Sequence, residues 1–216
     1  MLELSLETLQ GLPKNGPTDP IEYYRRPLVG RLFRERINRG LRLLGDRRFP
    51  RALEVGYGAG AVLLTLAGAV DELYGIDLDA DPDVVGQLLA ARGRKATLLR
   101  GSVFALPYES GSFDLVVCFS VFEHLREYSK ALAEVARVLA PSAWFLLGMP
   151  AVNRAMEVGF RAIGFKGIED NHITKPAQVA RAFGGNGLRV VRRATLDLPM
   201  RPLTLYTTWL LERARS

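Results

Sequence analysis

Three glycines alternate in Leu53-Glu54-Val55-Gly56-Tyr57-Gly58-Ala59-Gly60, directly after a short apolar stretch, and seventeen residues beyond the last of them stands Asp77. Glycines at this spacing let a backbone turn tightly and leave main-chain N–H groups open to a ligand, with no Cβ in the way. A carboxylate at the end of the following strand is placed to accept hydrogen bonds from ribose hydroxyls. The pair points to a nucleoside-bearing cofactor. Gly56-x-Gly58-x-x-Ala61 also satisfies a dinucleotide fingerprint. Glu54 weighs against that reading, because a carboxylate in a buried strand is costly unless a cationic group answers it. S-adenosylmethionine carries a cationic amino-acid portion and lacks the pyrophosphate of a dinucleotide.

These residues need a frame to hold them, and the hydropathy pattern predicts one. Ala52 to Val55, Leu73 to Ile76, Ala96 to Leu99, Phe113 to Cys118 and Trp144 to Leu147 read as strands. Helices are expected after Gly60, from Pro82 to Arg92 and from Glu123 to Leu139. Residues 1–20 hold five Gly and Pro breakers and read as an irregular arm, followed by an amphipathic helix from Leu28 that Gly45 ends. Beyond Pro150 the rhythm breaks. Residues 151–173 are irregular, Thr174 is the expected N-cap of a helix through Phe183, and two further strands start near Arg189 and Leu203. Strands alternating with helices imply an α/β fold with a doubly wound, mainly parallel sheet, here of seven strands.

Read together, the blocks resemble the class I S-adenosylmethionine-dependent methyltransferases, in particular the small-molecule type 11 branch. Glu54-x-Gly56-x-Gly58-x-Gly60 is similar to the first motif of that family, and Gly75-Ile76-Asp77-Leu78 to the second. Gly101-Ser102-Val103 with Leu106-Pro107-Tyr108, then Gly111 to Val117, resemble the third and fourth. The resemblance implies a Rossmann-like methyltransferase fold with S-adenosyl-L-methionine as cofactor. It further implies that Gly56 and Gly58 line the methionine part, Asp77 holds the ribose, Leu78 flanks the adenine and Ser102-Val103 meets its edge. Glu54, Tyr57, Gly60 and Phe119 complete the expected cofactor site. Two positions depart from the pattern: Ser102 stands where an Asp is usual, and Leu139-Ala140-Pro141-Ser142-Ala143 lacks the usual paired glycines.

Methyl transfer from a sulfonium is an in-line displacement that depends on alignment and desolvation, with a base needed only where the acceptor must lose a proton. The chain has two histidines. His124 follows the fourth strand and His172 lies in the irregular segment, and both are candidate bases. Their alternatives are a structural hydrogen bond and a solvated loop. Some relatives carry a Glu-x-x-Glu-His metal cluster, but Ser120 replaces the first Glu here, so no metal is expected. Residues 1–45 are expected to form a lid together with 151–173, over a cofactor-binding domain spanning 46–216. Tyr23, Tyr24, Phe119 and Trp144 are candidates for stacking on a flat acceptor, or for core packing.

Composition narrows the class. At 216 residues, with 48% hydrophobic and 24% charged residues, the chain suits one sizeable domain. A single cysteine, Cys118, excludes a disulfide framework or a cysteine-based zinc cluster. With no run of 18 apolar residues and no basic-then-apolar leader, the expected location is the cytoplasm. The net charge is +6, and ten arginines fall between Arg25 and Arg51 against Glu35 and Asp46 alone. That helix face suits solvent, an anionic membrane surface in peripheral contact, or a nucleic acid. Cys118-Phe119-Ser120-Val121 lacks the Asn/Asp-Pro-Pro-aromatic signature of base-methylating enzymes, so the expected acceptor is a small or lipid-like molecule. The alternatives are an NAD(P)-dependent reductase and a non-catalytic cofactor-binding partner subunit.

Overall fold

Seven strands form one sheet in the order β3-β2-β1-β4-β5-β7-β6. The computed structural model describes residues 2–16, 19–151, 172–198 and 203–214. In chain order the elements are α1 (Ile21–Arg25), α2 (Pro27–Leu41), β1 (Phe49–Val55), α3 (Ala61–Leu66), β2 (Val70–Asp77), α4 (Pro82–Ala90) and β3 (Thr97–Arg100). There follow β4 (Phe113–Phe119), α5 (Tyr128–Val138), β5 (Leu139–Pro150), α6 (Pro176–Ala182), β6 (Leu188–Leu198) and β7 (Leu203–Arg213). β1 to β5 run parallel, while β7 is antiparallel to both of its neighbours. Among the described residues no helix is long and apolar enough to cross a membrane.

Strand β4 shows why the sheet is buried on both faces. Leu115, Val117 and Phe119 join the core under α2, α3 and α4, whereas Val116 and Cys118 join the core under α5 and α6. Side chains alternate across a strand, so a continuous apolar run serves two layers at once. Phe113, Phe122 and Phe145 are among the largest side chains fully enclosed. Each contributes on the order of 1.5–3 kcal/mol by leaving water. Cys118 is a free, buried thiol inside this packing.

The N-terminal arm is irregular, as its breakers predict, but it is packed. Leu4, Leu9 and Leu12 are each only 1% exposed and extend the core over α2. Arginines hold it by its backbone. Arg25 donates to the carbonyls of Leu9 and Leu12, Arg92 to that of Gln10, and Asn38 exchanges hydrogen bonds with Leu4. Part of the arginine excess in and after α2 is therefore structural: Arg39 and Arg42 both meet Glu35, and Arg34 donates to the Tyr24 carbonyl.

Several local expectations need correction. The helix expected over Glu123–Leu139 begins only at Tyr128, because Phe122–His124 forms a separate 3-10 turn. Thr174 does not cap α6; Lys175 is the N-cap, and the buried Thr174 hydroxyl donates to the Leu125 carbonyl at 2.6 Å. The segment without paired glycines belongs to β5, where Ser142 takes a left-handed φ of 64° in their stead. Most of 151–173 lies outside the described residues, and so does that part of the expected lid.

Candidate active site

The carboxyl ends of β1 and β2 carry the glycine turn. Gly56, Gly58 and Gly60 adopt φ of 80°, 48° and 81°, values that favour residues without a Cβ. Space also forbids side chains at two of them: a Cβ on Gly56 would lie 2.3 Å from Val121 Cγ2, and one on Gly60 would lie 2.6 Å from Val85 Cγ1. Gly60 caps α3 in the left-handed conformation. The Gly56 amide donates to the Ile76 carbonyl at 2.8 Å, and the Gly58 amide to Asp77 Oδ2 at 2.9 Å. Asp77 Oδ1 accepts from the amides of Asp79 and Ala80. Asp77 thus braces the turn as well as facing it; Oδ1 is filled by two amides, and Oδ2, which accepts one, retains a lone pair for a hydroxyl.

Three carboxyl groups surround this turn. Glu54 is 3% exposed, with one oxygen lacking a partner, and burial together with the neighbouring Asp77 pushes its carboxyl well above the usual range. Asp19 comes from the arm, where it accepts from the amides of Asn15 and Ile21, and its carboxyl lies about 3.6 Å from the space beside Gly58. Burial, with Asp77 adding to it, raises that carboxyl too. Such convergence of acids leaves a place for positive charge. The amino-acid portion and sulfonium of S-adenosylmethionine fit it, and the orphaned Glu54 oxygen is the sign of fit that dinucleotide chemistry would leave unexplained.

The other expected cofactor residues divide into two groups. Leu78 is 63% exposed at the end of β2, close to the segment in which Val103 is buried and Ser102 Oγ accepts from the Phe104 amide. The Gly101 amide donates to the Asp77 carbonyl, which brings that segment to the turn. Tyr57 and Phe119 are instead packed inward. The Tyr57 ring covers Gly75, and Phe119 fills the space between Gly40 and Gly148. Trp144 lies four residues before Gly148 in β5, beneath Arg47 and beside Phe49.

Beyond β4 the chain builds a second cluster. Ser120 follows the strand at φ 59°, a conformation that costs a non-glycine residue energy and that is common at functional sites. Its hydroxyl is 2.9 Å from the Tyr206 hydroxyl. The amides of Ile173 and Thr174 donate to the Glu123 carbonyl at 2.9 and 3.0 Å, which pins that segment beside the end of β4. The His172 ring thereby lies 5.2 Å from that of His124. The two candidate bases share one place, and one donor atom from each of Glu123, His124 and His172 falls within 4.8 Å of the others.

Electrostatics set the protonation there. Burial pushes the Glu123 carboxyl up to about 8, against the opposing effects of its own amide, Arg36 and Ser120. Burial, then His124 and Arg36, push His172 down to about 4. At neutral pH Glu123 is mostly protonated and His172 is a neutral imidazole. The three donors are close enough to share a divalent ion, but Arg36 sets a fixed positive charge against the same cluster.

Sequence reasoning passed over Arg36, Tyr206, Asn15 and Asp19. Arg36 had a signal: it lies three residues after Phe33 and next to Ile37, on the helix face that turns inward. Asn15 had none, because its partners are distant in sequence. Its side chain donates to the carbonyls of Gly58 and Asp81 and accepts from the Asp81 amide.

Comparison with known proteins agrees with this arrangement. Residues 53–147 match the methyltransferase domain family known as Methyltransf_11. The chain is 32% identical over 99 residues to the uncharacterized methyltransferase YcgJ of Bacillus subtilis, covering 45% of this chain and 39% of the relative. It is 32% identical over 114 residues to a demethylmenaquinone methyltransferase of Staphylococcus aureus, covering 51% and 46%. The chain therefore spans less than half the length of these curated relatives. Its fold is similar to that of the N-methyltransferase NodS from Bradyrhizobium japonicum in complex with S-adenosyl-L-homocysteine, with a TM-score of 0.69 at 20% identity over 99% of this chain and 100% of that one. Motif order, sheet order and family match together identify residues 53–147 as a methyltransferase domain of the class I, S-adenosylmethionine-dependent type.

Proposed function

We propose that the chain transfers a methyl group to a small or lipid-like acceptor held between the glycine turn and the Ser120–His172 cluster. The observation that carries this reading is the neutral His172 beside His124, at the carboxyl end of β4 and next to the cofactor turn. S-adenosylmethionine supplies the methyl group as an electrophile when bound. The chain's residues do the rest: Glu54, Asp19 and Asp77 balance positive charge, the turn fixes position, and His172, or His124 in its place, takes a proton from an acceptor hydroxyl. A relative named for demethylmenaquinone supports a lipid-like acceptor. A cytoplasmic setting belongs to the same reading.

The arm forms part of a lid in this proposal. Asn15 bridges Gly58 on one wall of the cleft and Asp81 on the other, which supports closure of residues 1–45 over the cofactor. Incubation with methyl-labelled cofactor and fractionated small-molecule and lipid extracts tests the proposal. Label should enter one acceptor, and His172→Gln should slow its turnover about 100-fold or more while leaving cofactor affinity unchanged. Label that enters nothing, although the cofactor binds, overturns the reading.

A further inference from the structure

Arg36 is the residue of the second cluster whose charge no carboxylate pairs with among the described residues. Its side chain leaves α2 beside Phe33, with the guanidinium carbon 4.3 Å from that ring's centroid and 5.1 Å from the Tyr206 ring. Although the residue as a whole is only partly buried, its Nε is enclosed and has no hydrogen-bond partner. Nη2 donates to the Tyr24 hydroxyl at 3.0 Å. Among the described residues no carboxylate reaches ion-pairing distance of Arg36. Glu123 is the acid that influences it, and burial keeps that acid largely protonated at neutral pH.

A guanidinium set among aromatic rings, with no counter-ion among the described residues, is costly unless something negative completes it. The same cluster holds further unfilled valences: Glu123 Oε2 and His172 Nδ1 are both enclosed without a partner. Orphaned groups on three side chains around one spot indicate a ligand rather than a packing fault. The planar fork of arginine matches a carboxylate in two parallel hydrogen bonds.

Resting on the reading above, we infer that the acceptor carries a carboxylate and that Arg36 binds it, so the enzyme selects an organic acid over its neutral amide or ester. Tyr24 and Tyr206 orient the guanidinium, through the hydrogen bond of one and the ring face of the other. The neutral His172 is then left to the nucleophile, because the acid group is already held as an anion.

The test uses the full chain saturated with S-adenosylhomocysteine, and benzoate and benzamide as isosteric probes at equal ionic strength. Thermal shift titration should give an affinity for benzoate at least tenfold above that for benzamide. Arg36→Met should remove the difference, and Arg36→Lys should restore part of it. Benzoate and benzamide behaving alike in the native chain overturns the inference, whether or not any variant folds. So does an Arg36→Met protein that still prefers benzoate. A separate titration with S-adenosylhomocysteine, expected to be unchanged in Arg36→Met, reports on the cofactor site alone, so failure there is distinguishable from failure of the anion arm.

Discussion

Gly56→Ala tests whether the cofactor turn and the segment that follows β4 are physically one unit. The added Cβ would lie 2.3 Å from Val121 Cγ2, about 1 Å inside ordinary contact, and Gly56 sits at φ 80°. A left-handed conformation costs an alanine on the order of 1–2 kcal/mol. Overpacking adds about 1–3 kcal/mol, because the β-branched Val121 has few rotamers in which to retreat. The single variant should therefore lose roughly 2–5 kcal/mol, a large part of a typical domain's stability. Val121→Ala removes the clashing methyl but not the strain. In the double variant the overpacking should vanish, leaving a favourable coupling of about 1–3 kcal/mol in urea unfolding. Titration with S-adenosylhomocysteine should follow the same order, weakest in Gly56→Ala and partly recovered in the pair. Additivity of the two changes within about 0.5 kcal/mol would show that Val121 does not press on the turn, and would refute the reasoning.

Four further outcomes follow from named contacts. Since His172 titrates near 4 when folded and near 6.5 when unfolded, the stability that comes from its neutral ring is complete above about 6.5 and is lost as pH falls toward 4. At most about 3 kcal/mol is involved, so His172→Gln should flatten the acid side of a urea-midpoint profile, and an unchanged slope between pH 4 and 6.5 would contradict the burial. Glu123 has the opposite sign: its raised value of about 8 makes stability fall as pH rises from about 4.5 to 8, and Glu123→Gln should abolish that decline. Asn15→Ala removes three hydrogen bonds that join the arm to both sides of the cofactor cleft, and should weaken S-adenosylhomocysteine binding by about 1–3 kcal/mol, measured calorimetrically. Gly148→Ala would thrust a methyl to 2.4 Å from the Phe119 ring and 2.8 Å from the Tyr206 ring, so acceptor turnover should fall while cofactor affinity holds, and the reverse pattern would misplace the acceptor.

What could be read directly from the sequence was whatever repeats locally. The run Phe113 to Cys118 announces a strand buried on both faces, and Glu54-x-Gly56-x-Gly58-x-Gly60 with Asp77 announces a cofactor turn, because each signal is complete within some 25 residues. Leu4, Leu9 and Leu12 show the limit. They lie among breakers, so the arm reads as irregular, and nothing local says that its leucines enter the core. Thr174 shows another limit, since a good N-cap residue was drawn away to the carbonyl of Leu125, 49 positions earlier. Arg36 was hidden by company: one inward arginine looks like its outward neighbours until Phe33 and Tyr206 are seen around it.

The arm is gripped by its main chain, since Arg25 and Arg92 hold the carbonyl oxygens of Leu9, Leu12 and Gln10, not their side chains. Every residue type presents the same carbonyl, so substitutions at positions such as Gln10 leave the grip untouched. The burden of inheritance therefore falls unequally on the two partners. Across related chains the exposed letters of the arm are free to drift, while Arg25 and Arg92 must stay, together with the small apolar set that anchors Leu4, Leu9 and Leu12. An arm that looks unrelated between two such proteins can thus occupy the same place by the same bonds.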